Sequence, residues 1–264
     1  MALVAALRSQ LESSLSEIAA RSEPSQRCII LSGGVDTCAI LAAAEQTNVT
    51  FAGAITVLTG DASPDKDFAV AAAAGAKLEH HIVRVTSADL VDTYLPACVK
   101  HLATFDGMTL RNSLVVAAAM RKASELGFKH AVVGDGADEL FGGYSFMWGC
   151  ADDPEEWRGK RDKMCAKWTF ATAQLAAMYG LKSHSPYTEA SFVEWAIGCT
   201  GRSDCIGTRP IRLVLDGEAV EHETGKLVLR EAYDTISSWR RKDPIEVGSG
   251  ITVIGTPPYS ESYY

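Results

Sequence analysis

Two short segments constrain the fold of this chain more than any other part of its sequence. CIILSGGVDTCAIL at 28–41 and AVVGDGADELFGGY at 131–144 each pass from an apolar run, through glycines and an aspartate, into a stretch typical of a helix. Such short apolar runs indicate buried strands of a parallel sheet. Because the carboxyl ends of parallel strands meet at one edge, both turns are expected at a ligand site of an α/β protein.

The first turn has the features of an anion-binding loop. Ser32, Gly33 and Gly34 let backbone N–H groups converge on an anion, and the helix starting near Thr37 adds the positive end of its dipole. The glycine spacing is not that of a Walker loop and no lysine follows. We therefore do not expect the loop to bind the terminal phosphates as a kinase or GTPase does. Asp36 would place a carboxylate beside bound phosphates, which predicts a magnesium ligand.

The second turn repeats this arrangement on another strand. Gly134 allows close approach of the backbone, and Asp135, Asp138 and Glu139 supply three carboxylates. Asp36 and Asp138 could therefore share one or two magnesium ions on a nucleoside triphosphate. Each turn alone is also compatible with an ordinary strand-to-helix connection capped by an aspartate, but the two together favour a nucleotide site.

The remaining pattern predicts a doubly wound α/β fold with a parallel sheet. An amphipathic helix from Ala2 to about Arg21 should pack through leucines at every fourth residue, with a role in dimer contacts as the alternative. Strands are then expected at 28–31, 50–58, 81–85 and 130–133, and helices at 37–46, 65–75, 87–98 and 112–126.

The C-terminal part has a different pattern. It becomes mostly helical from about 155 to 240, and the final stretch, rich in Gly, Ser, Pro and Tyr, is typical of a loop or disordered tail. We expect a single domain over 1–264, made of a nucleotide-binding α/β core, a helical part and a tail. Their predicted ranges are 1–150, 151–245 and 246–264.

Composition argues against several classes of protein. The net charge is −8, and the one dense basic cluster, at 240–242, is too small for a nucleic-acid footprint. No run approaches the roughly 20 apolar residues of a membrane span, and the N-terminus lacks a signal-peptide pattern. The seven cysteines form no CxxC pair, which predicts neither zinc nor a disulfide framework. We expect a soluble cytoplasmic or organellar-matrix protein that binds neither nucleic acid nor membrane.

At the level of motifs, the chain resembles a known family. SGGVDT is similar to the SGGxDS signature of the N-type ATP pyrophosphatases, and GDGADELFGGY is similar to the GEGSDELFGGY element of asparagine synthetases and β-lactam synthetases. Further matches follow in the same order and cover most of the chain between about 20 and 250. They are SPD at 63–65, EHH at 79–81, GLKSHSPYTEASFVEWA at 180–196, GKLVLREAY at 225–233 and WRRKDPIEVGSG at 239–250.

The resemblance implies an adenine nucleotide α-hydrolase-like fold and an AMP-forming amide ligase that uses ATP and Mg²⁺. A substrate carboxylate would attack the α-phosphorus of ATP, and ammonia or an amine would then attack the acyl-adenylate. In this family the backbone after the second strand borders the adenine, which implies Val57 and, from the first strand, Leu31. Lys242 stands in the position of the catalytic lysine and is expected to stabilise the transition state at the phosphate.

Several departures from the family bear on the amine and the acid. Asp135 replaces a glutamate and is shorter by one methylene, about 1.5 Å, so either the substrate sits closer or Asp135 binds rather than acts as the base. Lys182 replaces an acid and His184 an arginine, which argues against assuming that aspartate is the substrate. Thr37 replaces a serine and keeps the hydroxyl.

The expected source of the amine is open. The chain starts close to the synthetase region, without the glutaminase domain of glutamine-dependent relatives, so we expect free ammonia, a substrate amine or a separate glutaminase chain. Intramolecular closure to a lactam competes with intermolecular amidation. A catalytically silent nucleotide-binding regulatory partner is the alternative from another class. A homodimer is compatible with all of these interpretations.

Overall fold

The fold is built on one parallel sheet. The computed structural model describes residues 2–59, 63–149, 153–241 and 248–251. Within them a five-stranded sheet has the order β3-β2-β1-β4-β5, and every neighbouring pair of strands is parallel. The strands are β1 (Arg27–Ile30), β2 (Gly53–Leu58), β3 (His80–Arg84), β4 (His130–Val132) and β5 (Lys182–His184).

Helices connect these strands and cover both faces of the sheet. The helices before β4 are α1 (Ala2–Ala19), α2 (Val35–Thr47), α3 (Asp65–Gly75), α4 (Ser87–Asp89), α5 (Leu95–Leu102) and α6 (Gly107–Glu125), with a π-helical turn, Leu90–Tyr94, joining α4 to α5. The later helices are α7 (Ala137–Phe141), α8 (Pro154–Cys165), α9 (Ala171–Met178), α10 (Ala190–Cys199), α11 (Arg202–Cys205) and α12 (Leu227–Ala232). A separate antiparallel hairpin consists of β6 (Gly207–Arg212) and β7 (Ala219–Thr224).

Two apolar cores lie on opposite sides of the sheet. On one side α1, α2, α3 and α12 pack around Ile29, and on the other side α5, α6 and α9 pack around Cys28. Successive residues of a strand point to opposite faces, so Cys28 and Ile29 each enter a different core. This arrangement confirms the predicted doubly wound α/β fold.

The N-terminal helix is a core element of this fold. Leu7, Leu11 and Leu15 are fully buried, and α1 packs against α2, α10 and α12. The four-residue leucine spacing therefore correctly predicted a packing helix.

The predicted elements of the α/β part are present, with boundaries shifted by a few residues. The largest shift is in α6, which begins at Gly107 rather than 112 because the Asp106 side chain accepts a hydrogen bond from the N–H of Thr109 at 2.7 Å. The helix predicted to end at 98 continues to Leu102 through the π-helical turn. Most of the tail predicted at 246–264 lies outside the described residues.

Three strands in the C-terminal part were not predicted. β5 has only three residues and no apolar run, and it joins the sheet at its edge beside β4. β6 and β7 are mostly exposed, and β6 contains Pro210, so neither shows the burial pattern of a core strand. The Asp216-Gly217 pair between them was the available hairpin signal.

None of the helices within the described residues combines the length and the apolar character that crossing a membrane requires.

Two histidines form a stacked pair at the junction of β4 and β5. The Nδ1 of His130 lies 2.9 Å from the Nε2 of His184, and their ring centroids are 5.2 Å apart. One nitrogen must donate and the other accept, so the bond requires at least one neutral ring. Burial, followed by the neighbouring His130 and Arg21, lowers the pKa of His184 to about 4, although Glu189 opposes the change.

We expect this pair to make folding stability depend on pH. The folded-state pKa of His184 is depressed, so the unfolded chain binds the proton first, and stability should be lost as pH falls from 6.5 towards about 4. His184→Gln should flatten that slope in thermal unfolding scans from about pH 7 to about pH 5. The exposed His222 provides the control, His222→Gln. Equal slopes for both variants and the unsubstituted protein would contradict the assignment.

Candidate active site

The first glycine turn connects β1 to α2 and has an unusual backbone. Gly33 has a φ of +73°, and a Cβ there would lie 2.5 Å from the backbone N of Ala69 in α3, so only glycine fits. Gly34 is the N-cap of α2 and supplies no side-chain cap. No side chain of the N-cap residue therefore occupies the first N–H groups of the helix, which is the end of a helix where anions bind. The Ser32 hydroxyl accepts a hydrogen bond from the N–H of Gly34 at 3.2 Å.

Asp36 and Asp138, the two predicted magnesium ligands, come together at the carboxyl edge of the sheet. Asp36 lies in the first turn of α2 and Asp138 in the first turn of α7. The Nζ of Lys226 bridges them, at 2.7 and 2.6 Å from the two carboxylate oxygens of Asp36 and 2.9 Å from Oδ1 of Asp138. The two carboxylates therefore lie close enough to reach a common cation.

Glycines make this approach possible. A Cβ on Gly134 would lie 3.0 Å from the Cβ of Asp36, and a Cβ on Gly143 would lie 1.7 Å from Oδ1 of Asp138. The second position excludes every larger residue unless Asp138 moves. Glycines from the second motif thus make room for the side chains of both aspartates.

Lys226 is the functional candidate that sequence reasoning missed. It is only 1% exposed and precedes α12 with a left-handed φ of +61°. Burial by itself would lower the pKa of Lys226, but Asp138 and Asp36 outweigh burial and raise it. The lysine therefore stays charged at neutral pH. The sequence feature that could have pointed to Lys226 is the GKLVLREAY match, in which it is the single lysine before an apolar run. From the sequence alone, this lysine has no predicted role.

The three charged groups fit a magnesium ion held together with phosphates. Two carboxylates and one ammonium leave a formal charge of −1, and carboxylate oxygens are the ligands that Mg²⁺ takes in proteins. Mg²⁺ is usually bound through one or two carboxylates plus substrate phosphates. Among the described residues, no cluster of three or more ligating side chains could hold a metal ion.

Asp135 lies in a less polar environment than the other two aspartates. Burial raises the pKa of Asp135 to about 6, while a hydrogen bond from Thr172 opposes the shift and nearby Glu139 adds to it. The backbone carbonyl of Asp135 accepts a hydrogen bond from the Ser185 hydroxyl at 2.6 Å. A carboxyl group with this pKa can change its protonation state near neutral pH.

Leu31 and Val57 lie on adjacent strand ends and are buried. The N–H of Leu31 donates to the carbonyl of Ile55 at 2.8 Å, and the carbonyl of Leu31 accepts from the Thr56 hydroxyl at 2.5 Å. Both side chains belong to the apolar cores. A contact with adenine would therefore use the backbone at this edge, and it remains a prediction.

Two other predicted positions can be placed. The hydroxyl of Thr37 lies 3.4 Å from that of Ser32, so it belongs to the first turn. His80, from the EHH match, lies with its Nε2 2.8 Å from the Thr56 hydroxyl, which is a structural contact between β2 and β3. Lys242 lies outside the described residues, so its assignment stays a prediction.

Lys182 and His184 are the two departures that bear on the substrate acid, and both lie in β5. Lys182 begins β5 and is exposed, while the ring of His184 bonds His130 rather than an aspartate of the site. In the structure, these two residues therefore take part in the contact between β5 and β4.

A doubly wound parallel sheet with glycine turns at its carboxyl edge places the chain among the α/β proteins that bind ligands at that edge. Within that class the chain belongs to the asparagine synthase family, whose model matches residues 6–174.

Curated relatives support this placement. An asparagine synthetase (glutamine-hydrolyzing) of Asparagus officinalis is 29% identical over 220 residues, which cover 78% of this chain and 35% of the relative. Asparagine synthetase B (glutamine-hydrolyzing) of Escherichia coli is 24% identical over 201 residues, covering 74% of this chain and 34% of the relative. The matches thus span about a third of the length of these relatives.

Solved structures show only distant likeness. An NH3-dependent NAD synthetase from Campylobacter jejuni, in complex with nitrate, is 14% identical with a TM-score of 0.38, covering 61% of this chain and 73% of that one. The fold class given above rests on the sheet topology and does not depend on this match.

We expect removal of the Lys226 ammonium to destabilise the protein and to create a stronger dependence on magnesium. Lys226→Met leaves two mostly buried carboxylates facing each other, which should lower the free energy of unfolding by about 3 kcal/mol. Millimolar Mg²⁺ should then raise the melting temperature of the variant more than that of the unsubstituted protein, because the ion replaces the lost charge.

Lys160→Met is the matched control, since Lys160 pairs with Glu156 on an exposed helix face. Differential scanning calorimetry with and without Mg²⁺ provides the measurement. An equal magnesium effect in all three proteins would argue against a shared cation site.

Proposed function

We propose that this chain is an ATP-dependent, AMP- and pyrophosphate-forming amide ligase that adenylates a small carboxylate and transfers it to ammonia or an amine. The observation that carries the proposal is the meeting of Asp36 and Asp138. They come from two family motifs far apart in sequence and converge on one ammonium beside the glycine turn. Family membership supports the same chemistry.

The phosphates of ATP would lie on the first turn. Backbone N–H groups of Ser32, Gly33 and Gly34 would bind them, and the hydroxyl of Thr37 lies within the same turn. Asp36 and Asp138 would hold Mg²⁺, which supplies charge neutralisation on the departing pyrophosphate when bound. Lys226 is placed to share its charge with the same phosphates. Leu31 and Val57 would border the adenine.

The first chemical step brings two anions together. The substrate carboxylate attacks the α-phosphorus, and the bond to the bridging oxygen of pyrophosphate breaks with its electron pair on pyrophosphate. Such a step needs positive charge around the phosphate, and Lys226 and Lys242 are our candidates for supplying it. The product is an acyl-adenylate whose AMP is a good leaving group.

In the second step an amine attacks the activated carbonyl, the C–O bond to AMP breaks with its electron pair on AMP, and the nitrogen must lose a proton as the C–N bond forms. Asp135 is the candidate base, because its raised pKa suits proton transfer near neutral pH. The amine would be free ammonia, a group on the same or another substrate, or ammonia from a separate glutaminase chain. The glutamine-hydrolyzing relatives favour ammonia over a second substrate amine.

A screen of amino acids and small carboxylates by ATP–pyrophosphate exchange tests the first step. Asp36→Ala or Asp138→Ala should lower the exchange rate by about 100-fold or more, whereas Asp135→Asn should largely spare it. Asp92→Ala, at an exposed acid outside the site, is the control. Equal losses in all three site variants would undo this division of roles, and a chain that exchanges no pyrophosphate with any acid would favour a regulatory nucleotide-binding protein.

The amide-forming step should show its own pH dependence. Asp135 is protonated below its pKa of about 6 and ionised above it, so the rate per free amine should rise through about pH 6 and then level off. Asp135→Asn should lose both this rise and most of the amide product. Product mass separates an amide from a lactam. A rise that persists in the variant would assign the base to another group.

A further inference from the structure

Arg240 lies behind the first glycine turn and bonds two separate elements. One terminal nitrogen donates to the carbonyl of Gly33 at 3.0 Å, and the other pairs with the carboxylate of Asp65 in the first turn of α3. The side chain is 4% exposed, and its guanidinium lies over the ring of Phe68, 4.3 Å from the centroid. The planar guanidinium thus joins the turn to α3 with both ends of its fork.

A second donor fixes the same carbonyl. The Ser237 hydroxyl donates to the carbonyl of Gly33 at 2.6 Å, and it is itself approached by the Cys38 thiol at 3.3 Å. The carbonyl of Gly33 therefore receives two hydrogen bonds from the segment 237–240.

Holding this carbonyl also sets the direction of the next N–H. In a trans peptide the C=O and the following N–H point to opposite sides of the chain, in one plane. The N–H that shares a plane with the Gly33 carbonyl belongs to Gly34, and it points towards the Ser32 hydroxyl at 3.2 Å. Rotation of this plane would turn a carbonyl oxygen towards the anion side of the turn. Such a rotation changes ψ of residue 33 and φ of residue 34, and because both are glycines the chain itself offers little resistance to it.

Asp65 is itself tightly enclosed. It is 9% exposed, and a Cβ on Gly248 would lie 2.2 Å from its carboxylate. The Ser63 hydroxyl, just before α3, donates a hydrogen bond to the carbonyl of Gly248. Two segments distant in sequence therefore enclose the carboxylate of Asp65. The guanidinium that it pairs with therefore has a fixed position.

We propose that Arg240 and Asp65 act as positioning residues that hold the Gly33–Gly34 peptide plane, and with it the turn at 32–36, in the shape that binds an anion. The inference rests on the proposed function, which takes the turn at 32–36 to bind a phosphate of ATP. It also gives a role to two motifs, SPD and WRR, whose members Asp65 and Arg240 contact each other.

Amide hydrogen exchange of the ligand-free protein tests the pair directly. Arg240→Lys keeps the charge but loses one arm of the fork, and Asp65→Asn keeps the shape but loses the charge. Either change should speed exchange in peptides covering 32–38 by about tenfold or more, while peptides from β2 stay protected. Asp67→Asn removes an exposed charge from the same helix and should leave exchange unchanged both in peptides covering 32–38 and in β2. Because the pair acts as one unit, the double variant should lose little more than either single variant.

Binding of Mg²⁺ with α,β-methylene-ATP, measured by calorimetry, is the second readout. Both variants should raise the Kd about tenfold, and Asp67→Asn should not. Unchanged exchange at 32–38, or unchanged Kd with faster exchange, would overturn the proposal, as would a loss of protection spread through the whole sheet. If the unsubstituted protein binds no nucleotide, the proposed function fails, whereas exchange at 32–38 still decides whether the pair holds the turn.

Discussion

The structure depends on one buried ammonium. Lys226 joins the carboxylates of Asp36 and Asp138 at 2.6–2.9 Å, and these residues belong to the starts of three helices, α12, α2 and α7. Removing one partner from such a group leaves charge buried without compensation, which is strongly unfavourable. The three helix starts must therefore stay together, and the glycine turns that precede α2 and α7 are held at the same edge of the sheet.

The sequence predicted those parts of the fold whose signal is local. The buried strands β1, β2 and β4 show short apolar runs, and the turns after β1 and β4 show glycines that only a close approach explains, as at Gly33 and Gly143. The hairpin and β5 were missed because their residues are mostly exposed or too few to show a period. Pairing with the neighbouring strand, rather than burial of an apolar run, makes β5 a strand.

The candidate site shows the same division between local and distant signals. Asp36 and Asp138 could be predicted because a carboxylate after a glycine turn at a strand end has few other uses. Lys226 and Arg240 could not, since their partners are 88 or more residues away along the chain and are set only by folding. A motif identifies which residues recur in a family, but contact geometry decides whether a charged member meets a ligand or another side chain. Arg240 and Asp65 are of the second kind.

The three aspartates of the two turns occupy two electrostatic environments, and the two roles proposed for them follow from this difference. Asp36 and Asp138 both pair with the Lys226 ammonium, and we propose that they hold a metal together with phosphates. Burial is the main cause that raises the pKa of Asp135 to about 6, and nearby acidic side chains add to the shift. Asp135 and Asp138 are chemically identical groups three residues apart, yet they differ in burial and in the charges that they face, and the two roles proposed for them rest on that difference. A shorter acid can serve as a base when its pKa suits the working pH, so the shorter reach of Asp135 does not by itself argue against the base role proposed for it.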